Sequence, residues 1–186
     1  MRSGYQKNTI THTVAALALA CAAPAAMAQS AAQPGSEGGV SVHVGVGEKY
    51  NRATINYETA PVWGTEFGGN WGRLDLTGEF GVSYWKAHSG KHPNNAWQLS
   101  AIPFLRWWVT DRFYLEGGIG ATVFNKTQFA DKTISSAFQF GDHIGLGYQL
   151  TPNSRLGLRY SHFSNAGIKR PNPGLDVTQL TYTYLF

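Results

Sequence analysis

The chain has 186 residues and a mass of 20.3 kDa, room for one domain or one closed sheet but not comfortably for two. Glycine supplies 22 residues and aromatics 13%, while charged residues are only 14% against the ~25% of ordinary globular chains. This balance disfavours a disordered chain or a charged helical bundle, and a mean hydropathy of −0.25 with so little charge requires apolar residues to alternate with polar ones.

Residues 1–28 read as a secretory signal. Arg2 and Lys7 give a basic start, 14–23 an apolar run, and Ala26-Met27-Ala28 a small-x-small cleavage site, so the mature chain is expected to begin at Gln29. The run is shorter than the ~20 apolar residues of a spanning helix and ends at Pro24. Cys21, preceded by Ala18-Leu19-Ala20, makes a poor lipoprotein signal, and cleavage after Ala28 would remove this only cysteine. Losing Arg2 and Lys7 leaves 13 basic residues against 11 acids, a net charge of about +2. No basic run or aromatic-basic array points to nucleic acid. An exported chain without disulfides must be held by a core, a closed sheet or a membrane.

After an irregular start over 29–38, a period of two runs through almost every segment. Candidate strands are 39–47, 53–59, 73–86, 96–109, 112–124, 138–150, 154–164 and the C-terminal segment, with the boundaries between Ala60 and Asn70 open. In the last segment Thr178, Leu180, Tyr182, Tyr184 and Phe186 share one face, and Gln179, Thr181 and Thr183 the other. The polar faces of 112–124 and 138–150 are rich in glycine, as the crowded interior of a narrow barrel requires.

Connections alternate in length: 110–111 and 151–153 are tight, whereas 87–95, 125–135 and 165–174 are long. This predicts an all-β fold, an eight-stranded antiparallel transmembrane β-barrel with short periplasmic turns and long outer loops. Trp63, Trp71, Trp85, Trp97, Trp107 and Trp108 would suit its interfacial girdles, and a terminal Phe186 after an aromatic strand suits insertion into an outer membrane. The competing fold is a soluble lipocalin-type barrel with its oily face inward, whose polar face should carry many Lys and Glu and few glycines.

Chemistry-bearing residues gather in the seventh strand. Leu156, Leu158 and Tyr160 set its oily parity, which puts His162 and Ser164 on the outer wall. Residues i and i+2 of a strand lie ~6.6 Å apart at Cα, so His162 can serve Ser164 as a general base. Alone, a His-x-Ser is a weak signal. Asp176 has the outward parity of the eighth strand, and a loop over about 164–175 makes it face His162, where a carboxylate would fix the imidazole's tautomer. Asp142 is a rival acid: pairing Leu150 with Leu156 would bring it beside Ser164. Asn165 is a candidate for steadying an oxyanion, or alternatively a polar residue that opens a turn. Lys169 and Arg170 could hold substrate phosphates or be solvated loop charges. Beyond the signal segment the remaining histidines, His43, His143, His88 and His92, show no metal-ligand spacing, and neither metal nor cofactor is expected.

The run His162-Phe163-Ser164-Asn165-Ala166-Gly167-Ile168-Lys169-Arg170-Pro171-Asn172-Pro173-Gly174-Leu175-Asp176 resembles the C-terminal signature of the PagL-type lipid A deacylases, and 71–85 and 138–147 are similar in style. The resemblance implies an eight-stranded outer-membrane barrel that removes the ester-linked hydroxyacyl chain at position three of lipid A. It makes His162 the base, Ser164 the nucleophile and Asp176, where the family usually has glutamate, the third member in preference to Asp142. The substrate would be lipopolysaccharide, reached within the outer leaflet. Alternatives are a non-enzymatic small outer-membrane barrel serving adhesion or membrane integrity, and a secreted barrel binding a small apolar ligand. Acyl length and pairing into a homodimer are left open.

Overall fold

A computed structural model of the chain describes residues 37–186, and the signal segment expected over 1–28 lies outside them. The described chain is almost entirely strand: β1 (Gly39–Val46), β2 (Tyr50–Glu58), β3 (Trp63–Glu66), β4 (Arg73–Ala87), β5 (Asn95–Trp108), β6 (Phe113–Phe124), the two-residue β7 (Gln128–Phe129) and β8 (Lys132–Thr133), β9 (Phe138–Thr151), β10 (Ser154–Ser164) and β11 (Leu175–Leu185). The order β2-β1-β11-β10-β9-β6-β5-β4-β3 is antiparallel throughout, and β2 pairs with β4, which closes an eight-stranded barrel. Among the described residues no helix is long and apolar enough to cross a membrane.

Parity decides what each wall residue meets. Val40, Val42, Val44 and Val46 of β1, Ile119 and Val123 of β6, and Leu180, Tyr182 and Tyr184 of β11 all face outward and are exposed. Their inward neighbours include Ser41, His43, Glu116, Gln179, Thr181 and Thr183, all buried. A barrel with its oily side out and polar side in is an outer-membrane barrel, not a lipocalin-type one.

The lumen is filled, not open. Glu58 takes Arg106 at 2.8 Å and Arg155 at 2.6 Å, Glu116 takes Arg106 at 3.1 Å and Arg159 at 2.6 Å, and Arg159 also meets Glu79 at 2.7 Å. Charges withdrawn from water this completely need such pairing. The expected interior glycines make room: a Cβ on Gly147 would collide with the Tyr114 ring.

Two details differ from the sequence expectation. The alternation of loop lengths is not strict, since β1 and β2 join through only 47–49, and 59–72 is a long connection at the opposite end. Pro61 has no N–H to give the ladder, so the chain leaves β2 at Thr59 and rejoins β4 as β3, pairing Trp63 with Leu76. Of the tryptophans, Trp63, Trp71 and Trp97 are exposed at the rims, but Trp85 and Trp108 have inward parity and are buried. Trp85 donates to Gln98 at 3.0 Å and Trp108 to Asp75 at 2.9 Å, so neither belongs to a girdle.

The apolar core sits inside the loop end. Tyr50, Trp85, Phe124, Phe129, Ile134, Phe163 and Leu175 cluster there, with Trp85 5.4 Å from both Tyr50 and Phe163, ring centre to ring centre. Phe129 and Ile134 come from the β7–β8 hairpin, which plugs the mouth. Fully burying each such side chain is worth roughly 1.5–3 kcal/mol.

Candidate active site on the outer wall

Phe163 fixes where its two neighbours point. With its ring wholly buried in the mouth core, His162 and Ser164 must stand on the outer face of β10, close to the loop end. A one-residue slip would turn both inward and expose the phenylalanine.

β10 pairs with β11 so that His162 lies directly opposite Asp176. The imidazole Nδ1 and the carboxylate Oδ1 are 2.7 Å apart, with about 39% and 48% of the two side chains exposed. Both backbone groups of Asp176 turn away from β10: its N–H donates to the Tyr50 hydroxyl at 2.9 Å, and that hydroxyl donates to its carbonyl at 3.2 Å. His162 and Asp176 therefore form a non-hydrogen-bonded pair, the kind whose side chains approach most closely, which is why a side chain as short as aspartate reaches. The β1–β11 ladder ends at Val46 and Thr178, and Tyr50 supplies the partners that β1 no longer offers.

Asp142 is on the outer face as expected, but opposite His162, not Ser164. The register shifts between Ser154 and Arg155, so Leu156 pairs with Tyr148 instead of Leu150. Ser164 is level with Phe140. Among the described hydrogen bonds none joins Ser164 to His162; its Oγ accepts the Ala166 N–H at 3.4 Å.

Asn165 has the opposite parity and is buried. Its amide donates to the Ile134 carbonyl at 3.1 Å, and its Oδ1 accepts the N–H groups of Gly167 at 3.0 Å and Lys169 at 3.3 Å. The side chain is thus occupied in opening the turn and tying loop 165–174 to the mouth hairpin, and it is buried on the face opposite Ser164, against the oxyanion expectation. Ser135 adds a hydroxyl bond to the Pro171 carbonyl at 2.7 Å, and Lys132 reaches the Gly174 carbonyl at 3.3 Å. The hairpin is held in turn by loop 88–94: Asp131 accepts the His92 N–H at 2.9 Å and meets Lys91 at 2.8 Å, and these two, the N–H first, hold its carboxyl below the usual range. Lys169 and Arg170 are exposed on loop 165–174.

Other contacts at the site were missed by the sequence reading. Tyr160, whose parity predicts only that it faces lipid, donates its hydroxyl to Asp176 Oδ1 at 2.7 Å. Its parity, two residues before His162, is the signal that could have found it. Gly174, at φ +68°, lies against the imidazole edge, where a Cβ would come within 2.5 Å of His162 Cε1. Lys132 arrives through the hairpin, and nothing local in the sequence announces it.

The chain is similar to known proteins of one family. The family model described as lipid A 3-O-deacylase (PagL) matches residues 32–185. A lipid A deacylase PagL of Bordetella bronchiseptica is 62% identical over 181 residues, 97% of this chain and 98% of that one. Its namesake from Pseudomonas aeruginosa is 34% identical over 117 residues, 60% of this chain and 65% of that one. A solved structure described as the outer membrane enzyme PagL superposes with a TM-score of 0.66 at 27% identity, covering 80% of this chain and 99% of its own. With the family model spanning nearly all of the barrel, this chain belongs to the lipid A 3-O-deacylase (PagL) family.

Proposed function

We propose that this protein is a lipid A deacylase of the outer membrane that hydrolyses the ester at position three through Ser164, His162 and Asp176. The observation that carries the reading is the His162–Asp176 bond on the lipid-facing wall, with Ser164 two residues along on the same face. A site that points out of the barrel at the loop end meets a substrate diffusing in the outer leaflet. A polar side chain there costs far less than the ~2–4 kcal/mol of a cation at mid-bilayer.

The steps follow from the chemistry of the three groups. Ser164 Oγ attacks the ester carbonyl carbon while its proton passes to His162 Nε2, and Asp176 holds the Nδ1–H and stabilises the imidazolium. The tetrahedral intermediate collapses as His162 returns the proton to the departing sugar oxygen, leaving the acyl group on Ser164. Water, deprotonated by the same imidazole, then releases the fatty acid. The Ala166 N–H beside Ser164 Oγ is a backbone donor suited to the developing oxyanion. In the free protein the Ser164–His162 bond is unmade, and such bonds commonly tighten only when substrate arrives.

Export by a signal cleaved after Ala28 belongs to the same reading, and the mass of the mature protein tests it. The nucleophile is tested with a lipophilic fluorophosphonate on the purified barrel in detergent. The adduct should fall on the peptide 160–169 at Ser164 and vanish in His162→Ala. Labelling at any other serine, with Ser164→Ala still active, would overturn the assignment.

A further inference from the structure

We infer that Tyr160 is a positioning residue for the reaction, acting through Asp176; this rests on the triad reading above. Its hydroxyl and the His162 Nδ1 converge on one oxygen, Asp176 Oδ1, each at 2.7 Å. Two donors on one oxygen fix the carboxylate's rotation as well as its distance.

The need for a second donor follows from exposure. About half of the Asp176 side chain is open, so a single bond to His162 would leave the carboxylate free to swing towards water or the lipid headgroups. Tyr50 holds only the backbone of this residue, from inside the barrel. Tyr160 holds the side chain from outside, and the register lets it do so. Tyr160 pairs with Thr178, so it lies diagonal to Asp176 on the same outward face, within reach of a long phenol. A phenol whose only task was to sit in the interfacial belt would turn its hydroxyl to water, yet this one is spent on the carboxylate although 46% of the residue is exposed. Asp142, on the other side of His162, has no such hydroxyl among the described hydrogen bonds, which separates the two acids that the sequence left in competition.

The inference predicts a specific kinetic pattern. Purified full-length barrels in detergent, checked for the heat-dependent gel shift of a folded barrel, are assayed on lipid A as wild type, Tyr160→Phe, Asp176→Ala and the double variant. Tyr160→Phe should lower kcat roughly tenfold with KM within about twofold, the loss of one charge-assisted hydrogen bond. In the Asp176→Ala background the same change should cost nothing further, because Tyr160 has no carboxylate left to hold. A Tyr160→Phe enzyme with wild-type kcat while Asp176→Ala is impaired would overturn this inference and leave the triad standing. An equal further loss in the double variant, or a rise confined to KM, would also overturn it by making Tyr160 a direct substrate contact. Full activity of Asp176→Ala would overturn both readings.

Discussion

His162 and Asp176 meet across directly paired positions of β10 and β11, with Nδ1 and Oδ1 2.7 Å apart on the side of the barrel that faces lipid. The barrel wall thus supplies what a loop-built active site must assemble from separate segments. Neighbouring strands set the spacing of the proposed acid and base, and strand parity sets the spacing of the proposed base and nucleophile.

Asp142 also flanks His162, so the two acids can be separated by substitution. Asp176→Ala should lower kcat by roughly a hundredfold or more, whereas Asp142→Ala should stay within a few-fold of wild type. Deacylation rates of the two variants at saturating lipid A check this. A large loss confined to Asp142→Ala would reverse the assignment.

Asn165 is read as the organiser of loop 165–174, with its amide on Ile134 and its Oδ1 on Gly167 and Lys169. Asn165→Ala leaves those groups unpaired at a cost of about 1–3 kcal/mol, so loop 165–174 should become sensitive to proteolysis while the barrel stays folded. Substrate should restore protection. Impaired catalysis with an unaltered cleavage pattern would return Asn165 to a chemical role.

The lumenal ion network predicts a loss of stability without loss of chemistry. Glu58→Ala strands Arg155 in the interior and leaves Arg106 to Glu116 alone, at about 3–5 kcal/mol. Folded molecules of this variant should deacylate at the wild-type rate but unfold at markedly lower urea, as read from the tryptophan emission of Trp85 and Trp108.

Much of this was legible in the alternation of residues. The outward parity of His162, Ser164 and Asp176 follows from Leu156, Leu158 and Leu180 alone, because a strand wall has a strict period of two. What escaped were features that depend on register or on distant chain. The bulge beside Ser154 moves Asp142 from Ser164 to His162, and no local pattern encodes that slip. The burial of Trp85 and Trp108 was implicit in their parity, yet residue type suggested a girdle. The occupation of Asn165 depends on Ile134, 31 residues away and carried by a hairpin too short to leave a periodic signal.

The most direct test of the whole account is the mass spectrum of lipid A from Gram-negative cells producing the wild-type protein or Ser164→Ala at equal folded levels. The wild type should remove one hydroxyacyl chain, from position three, and Ser164→Ala should leave lipid A intact. Unaltered lipid A with the wild type, or full deacylation by Ser164→Ala, would contradict it.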